Sequence, residues 1–174
     1  MLALIPFYCG TRTALLPSLA AELESCFRLP VEQAAPAFDP EESYDTSRGQ
    51  FNSRILLDLL LRHHPGPDKL LAVTDVDLFI PVLTFVFGEA QLGGRAAVVS
   101  SHRLAPERYG LAPDLALLKT RLIRESIHEL GHTFALIHCR DSRCVMASSP
   151  QVEGIDLKSS RFCQQCLDQL AAAR

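Results

Sequence analysis

The chain has 174 residues, 48% hydrophobic and 21% charged, a composition ordinary for one globular domain. Its 17 basic and 20 acidic residues leave a net charge of −3 with no basic run, which argues against a nucleic-acid partner. No stretch reaches the ~18 apolar residues of a membrane-spanning helix, so no membrane association is expected.

The apolar opening, residues 2–8, suits a buried strand. It has no cationic lead and Pro6 interrupts it, unlike a secretory leader, so a cytoplasmic protein is expected. Residues 14–27 read as a helix and 29–33 as a short strand. Residues 34–49 carry Pro36, Pro40 and a polar cluster, the composition of a loop. The leucine-rich stretch 50–63 has helical periodicity and ends at His63, His64 and Pro65. Strands are predicted over 69–76, 81–88 and 95–101, where β-branched and aromatic residues concentrate. A connector over 106–113 leads to a long helix over 114–134, and a last helix begins near Cys163. Strands interleaved with helices imply an α/β (α+β) fold, a twisted mixed sheet with helices packed on it.

The long helix carries His128-Glu129-Leu130-Gly131-His132, and His138 follows six residues on. At ~3.6 residues per turn, His128 and His132 stand on one face and reach one metal ion. Glu129, beside the first histidine, is placed to move a proton. This is the arrangement of metal-assisted peptide hydrolysis. The competing reading is a helix with surface histidines. Composition gives His-Glu-x-x-His by chance in about one such chain in a hundred, and the third histidine makes chance rarer still. Metal binding is therefore the stronger reading.

Cys139 follows the third histidine directly, and Cys144, Cys163 and Cys166 follow it. Two close pairs separated by a loop are the spacing of a structural four-cysteine zinc site. Disulfides need an oxidising compartment, which nothing in the chain suggests. Cys9 and Cys26 lie outside the pattern and read as small core residues.

The segment 128–146, HELGHTFALIHCRDSRCVM, resembles the metzincin zinc-protease motif with its nearby methionine turn. The cysteines that follow make it similar to the archaemetzincins in particular, with Met146 at the methionine position and CxxC at Cys163 and Cys166. Stretches 48–51, 74–78, 86–90 and 100–104 echo the same family upstream. The resemblance implies a metzincin-like catalytic domain over 1–174. It would divide into an upper part, 1–134, and a small C-terminal part, 135–174, held by the cysteine zinc. It also implies two Zn²⁺ per chain. His128, His132 and His138 would hold the catalytic ion, with Glu129 as general base. Cys139, Cys144, Cys163 and Cys166 would hold the structural ion. By the same resemblance Met146 floors the metal, and an edge strand within 81–90 pairs with extended substrate. The expected partner is a peptide substrate, and the expected state is a monomer.

One position departs from the family. Its glycine between the second and third histidines is Ala135 here. That turn usually needs positive φ, which glycine adopts freely and alanine at a cost of about 1 kcal/mol or more. Either the chain accepts the strain or the helix ends differently. Ala135 is also the feature that favours an alternative function, a zinc-stabilised peptide-binding protein whose protease site is weak or inactive.

Other polar residues carry weaker expectations. Asp75 and Asp77 read as solvated or capping groups rather than a catalytic pair. His63 and His64 are expected on terminal carbonyls of their helix. Arg48 is expected in a salt bridge, and His102 has no assigned role.

Overall fold

A computed structural model describes residues 1–173. The central sheet contains β1 (Leu2–Pro6), β2 (Val31–Gln33), β5 (Lys69–Thr74), β7 (Gly88–Ala90) and β8 (Ala96–Ser100), in the order β2-β1-β5-β8-β7. Only β7 runs antiparallel to its neighbour. A small second sheet joins β3 (Tyr44–Asp45), β4 (Gln50–Asn52) and β6 (Leu78–Phe79).

The inner strands are apolar on both faces because helices cover both. Leu2, Leu4, Leu71, Val73, Ala97 and Val99 share one core with α1 (Leu16–Phe27) and α3 (Leu115–Thr133). Their alternates Ala3, Ile5, Leu70, Ala72, Ala96 and Val98 share a second core with α2 (Ser53–His63). The two-residue period of each strand thus divides its side chains between two helix layers.

Asp114 caps α3, its side chain accepting a hydrogen bond from Leu117 N at 2.9 Å. Short helices α4 (Val152–Leu157) and α5 (Gln164–Ala172) follow it. The doubly bonded Arg121–Asp156 ion pair ties α4 to α3.

Three expected boundaries move. The helix expected over 50–63 begins at Ser53, because residues 50–52 pair as β4 and Asn52 caps the helix through Arg54 N. Short strand β3 lies inside the expected loop 34–49. The strand expected over 81–88 is mostly a looped segment: Val86 forms a single bridge with Leu78, and the paired strand is Gly88–Ala90. Side chains satisfy that segment's carbonyls instead of a neighbouring strand: Arg48 Nη2 donates to Leu83 O and Gln50 Nε2 to Thr84 O. Pro81 has no N–H to offer a ladder, and Val82 stands 79% exposed. Helix α4 was not foreseen.

Candidate functional site

His128 and His132 lie one turn apart on the C-terminal half of α3, and His138 returns to them from the chain beyond the helix. Their candidate ligand atoms all fall within 4.8 Å of one another. Two backbone carbonyls aim the first two rings. His128 Nδ1 bonds Val145 O at 2.8 Å, and His132 Nδ1 bonds Leu136 O at 2.7 Å. A carbonyl accepts only from N–H, so each Nδ1 holds the proton and each Nε2 keeps its lone pair. The two Nε2 atoms face each other 3.1 Å apart. Tetrahedral Zn–N bonds of ~2.0–2.1 Å would set such nitrogens about 3.3 Å apart, so the donor set fits zinc. Burial lowers the pKa of all three histidines, His128 furthest. Neutral imidazole is the form that binds metal.

Helix α3 ends where the family glycine is missing. Ala135 takes φ 64°, the left-handed conformation. Leu136 N donates to Gly131 O and Ala135 N to His132 O, the two bonds of a Schellman turn. The chain therefore accepts the strain, and the turn delivers the Leu136 carbonyl to His132.

Glu129 is buried against β7. A Cβ built on Gly88 would lie 2.7 Å from Glu129 Cγ and 2.6 Å from Val98 O, so glycine is the residue that admits this approach. Among the described residues no hydrogen bond holds the Glu129 carboxylate. Its pKa is raised well above the usual carboxylate range, first by burial and then by Glu125 one turn earlier. Lys158, only 1% exposed, lies 2.8 Å from Glu125 in an ion pair beneath this region. Its Nζ also donates to Ala147 O at 3.3 Å, beside Met146. Met146 is fully buried, and its Sδ packs so closely on the α3 backbone that a Cβ at Gly131 would meet it at 2.5 Å.

Cys139, Cys144, Cys163 and Cys166 converge in a second group. Sγ of Cys139 lies 3.7 Å from that of Cys163, and Cys144 lies 3.8 Å from Cys166. A tetrahedron with Zn–S bonds of ~2.3 Å has sulfur–sulfur edges of about 3.8 Å, which matches these spacings. Asp141 N and Cys163 N donate to Cys139 Sγ and Cys144 Sγ. The two groups are joined: Cys139 N donates to Met146 O, and Val145, which orients His128, follows Cys144 directly.

The remaining candidates lie outside both groups. Asp75 pairs with Arg12, and Asp77 with Arg103 in a doubly bonded ion pair. Both are partly buried, which corrects the solvated reading: the segments after β1 and β8 bring Arg12 and Arg103 to them. His64 Nε2 accepts from Ala37 N, and His63 lies against Phe38, so neither caps a carbonyl as expected. Arg48 forms no salt bridge among the described residues; it covers the Phe79 ring and bonds Leu83 O. His102 Nδ1 bonds Asp75 O. Cys9 is a core residue whose thiol donates to Val73 O.

Sequence reasoning missed Gly88, Glu125, Lys158 and the carbonyls of Val145 and Leu136. A carbonyl carries no side-chain signal, and Lys158 sits in a polar stretch with nothing to mark it as buried.

A profile of peptidase family M54 matches residues 28–172. The chain is 47% identical over 131 residues to the archaemetzincin of Methanocaldococcus jannaschii, covering 75% of this chain and 72% of that one. It is 45% identical to the archaemetzincin of Methanopyrus kandleri, covering 75% and 71%. The crystal structure of the M. kandleri archaemetzincin superposes with a TM-score of 0.85 at 38% identity, covering 99% of this chain and 93% of that one. A zinc-dependent peptidase from Methanocorpusculum labreanum gives 0.86 at 30% identity, covering 98% and 100%. With family profile, sequence relatives and solved folds in agreement, this chain belongs to peptidase family M54, the archaemetzincins, and is a zinc metallopeptidase.

Proposed function

We propose that His128, His132 and His138 hold the catalytic zinc, that Glu129 is the general base, and that the four cysteines hold a second, structural zinc. The observation that carries this is the pair of Nε2 atoms 3.1 Å apart, each oriented by a carbonyl bond at its own Nδ1. Zinc bound there supplies Lewis acidity toward the scissile carbonyl and toward the attacking water. Glu129 takes the proton from that water and passes it to the leaving amine. Its lack of a fixed hydrogen-bond partner leaves the carboxylate free for both.

The substrate is an extended peptide added to the outer edge of β7. Phe87 O and Gln91 N bond inward to β8, so the alternation turns the backbone groups of Gly88 and Ala90 outward, free to pair with a peptide. Gly88 is also the residue against Glu129, so a peptide on this edge lies beside the base.

The alternative, a peptide-binding protein with a weak site, drew on Ala135. The Schellman turn formed by Ala135 and the convergence of the three histidines favour the active enzyme. Glu129→Ala separates the readings. It is expected to retain two zinc ions per chain, against one in His128→Ala/His132→Ala, and to lose peptide cleavage. Cleavage at the wild-type rate in Glu129→Ala removes the proposed base.

A further inference from the structure

The strained turn at Ala135 is clamped from outside the helix. Lys69 opens β5, and its half-buried ammonium forms no salt bridge among the described residues. Instead Nζ donates to Thr133 O at 2.6 Å and Gly94 O at 2.8 Å, and lies 4.2 Å from the centroid of the Phe134 ring. Phe134 in turn stacks on Phe27 of α1, centroids 5.4 Å apart. At the tip of the β7–β8 hairpin, Gly93 N donates to His132 O at 2.8 Å. Gly93 is itself left-handed, and a Cβ there would stand 3.7 Å from the Ala135 methyl. The last carbonyls of α3 are thus held by a cation and an N–H from the sheet, both favoured at the negative end of a helix dipole.

We propose that Lys69 is a positioning residue for the catalytic metal: by joining the α3 C-terminus to the hairpin tip, it holds Ala135 left-handed and so fixes the Leu136 carbonyl and His138. A glycine at 135 adopts this turn without strain; an alanine depends on what surrounds it. The clamp therefore compensates for the missing glycine. This inference rests on the reading that the three histidines bind zinc, and it makes no use of Lys69 in the chemistry.

The test is a double-mutant cycle on the full chain between Lys69→Met, which keeps the stem, and Ala135→Gly. The readout is zinc affinity at the histidine site by chelator competition, with the cysteine-bound zinc retained as a fold control. Lys69→Met is expected to weaken that affinity by about tenfold or more, the effect of losing an outer-shell partner. Adding Ala135→Gly is expected to restore most of the loss. Wild-type affinity in Lys69→Met, or an equal loss with Ala135 and with Gly at that position, overturns the proposal. Should Lys69→Met lose the cysteine-bound zinc as well, Lys69→Gln carries the same comparison, because it keeps a donor on part of the stem. A wild-type zinc count unchanged by His128→Ala/His132→Ala would instead refute the histidine site itself, and the clamp would fall with it.

Discussion

Gly88 carries the most direct test of how β7 and α3 make the site. In Gly88→Ala the new Cβ would lie 2.6 Å from Val98 O, 2.7 Å from Glu129 Cγ and 3.1 Å from Glu129 Cδ. Ordinary contact begins near 3.4 Å, so the new Cβ lacks about 0.8 Å of room toward Val98 O and about 0.7 Å toward Glu129 Cγ. Val98 O is backbone of the central sheet and cannot give cheaply. The Val98 O contact is therefore relieved only by β7 moving outward, with the edge proposed to bind peptide, and the Glu129 side chain must yield beside it. Overpacking of this kind costs about 1–3 kcal/mol, which in a chain of this size lowers Tm by about 2–12 °C. A base displaced by close to 1 Å costs on the order of 100-fold in rate. The assay is kcat/KM on a fluorogenic peptide library, run beside a melting curve and a zinc count. A hundredfold fall in kcat/KM with zinc retained is expected. A lowered Tm with undiminished kcat/KM would mean that the Gly88–Glu129 contact is packing alone, and the placement of substrate on β7 would lose its support.

Three further outcomes follow from contacts around the histidines. Gly131→Ala gains about 1 kcal/mol of helix propensity but drives Met146 off the α3 backbone, where Sδ would be met at 2.5 Å. A net loss of about 1 kcal/mol is expected in chemical denaturation, and a stabilised variant would show that Met146 moves freely. Cys144→Ser is expected to lower Tm and to weaken zinc at the histidines about tenfold, because Val145 O orients His128; unchanged histidine-site affinity would uncouple the two sites. The histidine pKa values are lowered, chiefly by burial. As pH falls through about 6.5, unfolded histidines take protons that the folded ones refuse, so stability without metal at this site falls with pH. Protein loaded with one equivalent of zinc should therefore lose stability between pH 7.5 and 5.5 more steeply than His128→Ala/His132→Ala, as read by denaturant midpoints. Equal slopes would show that the folded rings protonate as easily as unfolded ones.

Much of the fold was legible because its inner strands and helices carry their periods openly. The parallel strands read as short apolar runs because both their faces are covered, and α3 read as a long helix because of its apolar stripe. The overextended strand at 81–88 fell where side chains replaced the backbone as hydrogen-bond partners, whereas β3 and β4, which pair through their own backbones, were too short to read as strands. Residues 81–87 have strand composition, yet Arg48 and Gln50 occupy the carbonyls that a ladder would need. Those two residues lie more than 30 positions away in sequence, and no local window contains them. Asp75 and Asp77 went astray for the same reason: Arg12 and Arg103 reach them only once the sheet is assembled.

The site divides along the same line. Ligand-type side chains announce themselves by spacing, and the two convergent groups contain the three histidines and four cysteines that spacing had picked out. What prepares them does not. The Val145 and Leu136 carbonyls fix which nitrogen of each ring is free, and any residue at either position would supply the same atom. Ala135 shows the consequence most clearly. Read alone, it marks a defect in the motif, because the energy of a left-handed alanine is local while what offsets it is not. Lys69, Gly93 and Gly94 come from the start of β5 and the tip of the next hairpin, and they meet the end of α3 only because β5, β8 and β7 are neighbours in that order. A substitution that breaks a family motif is therefore to be weighed against the contacts that surround it in the fold, and here those contacts leave the histidines converged.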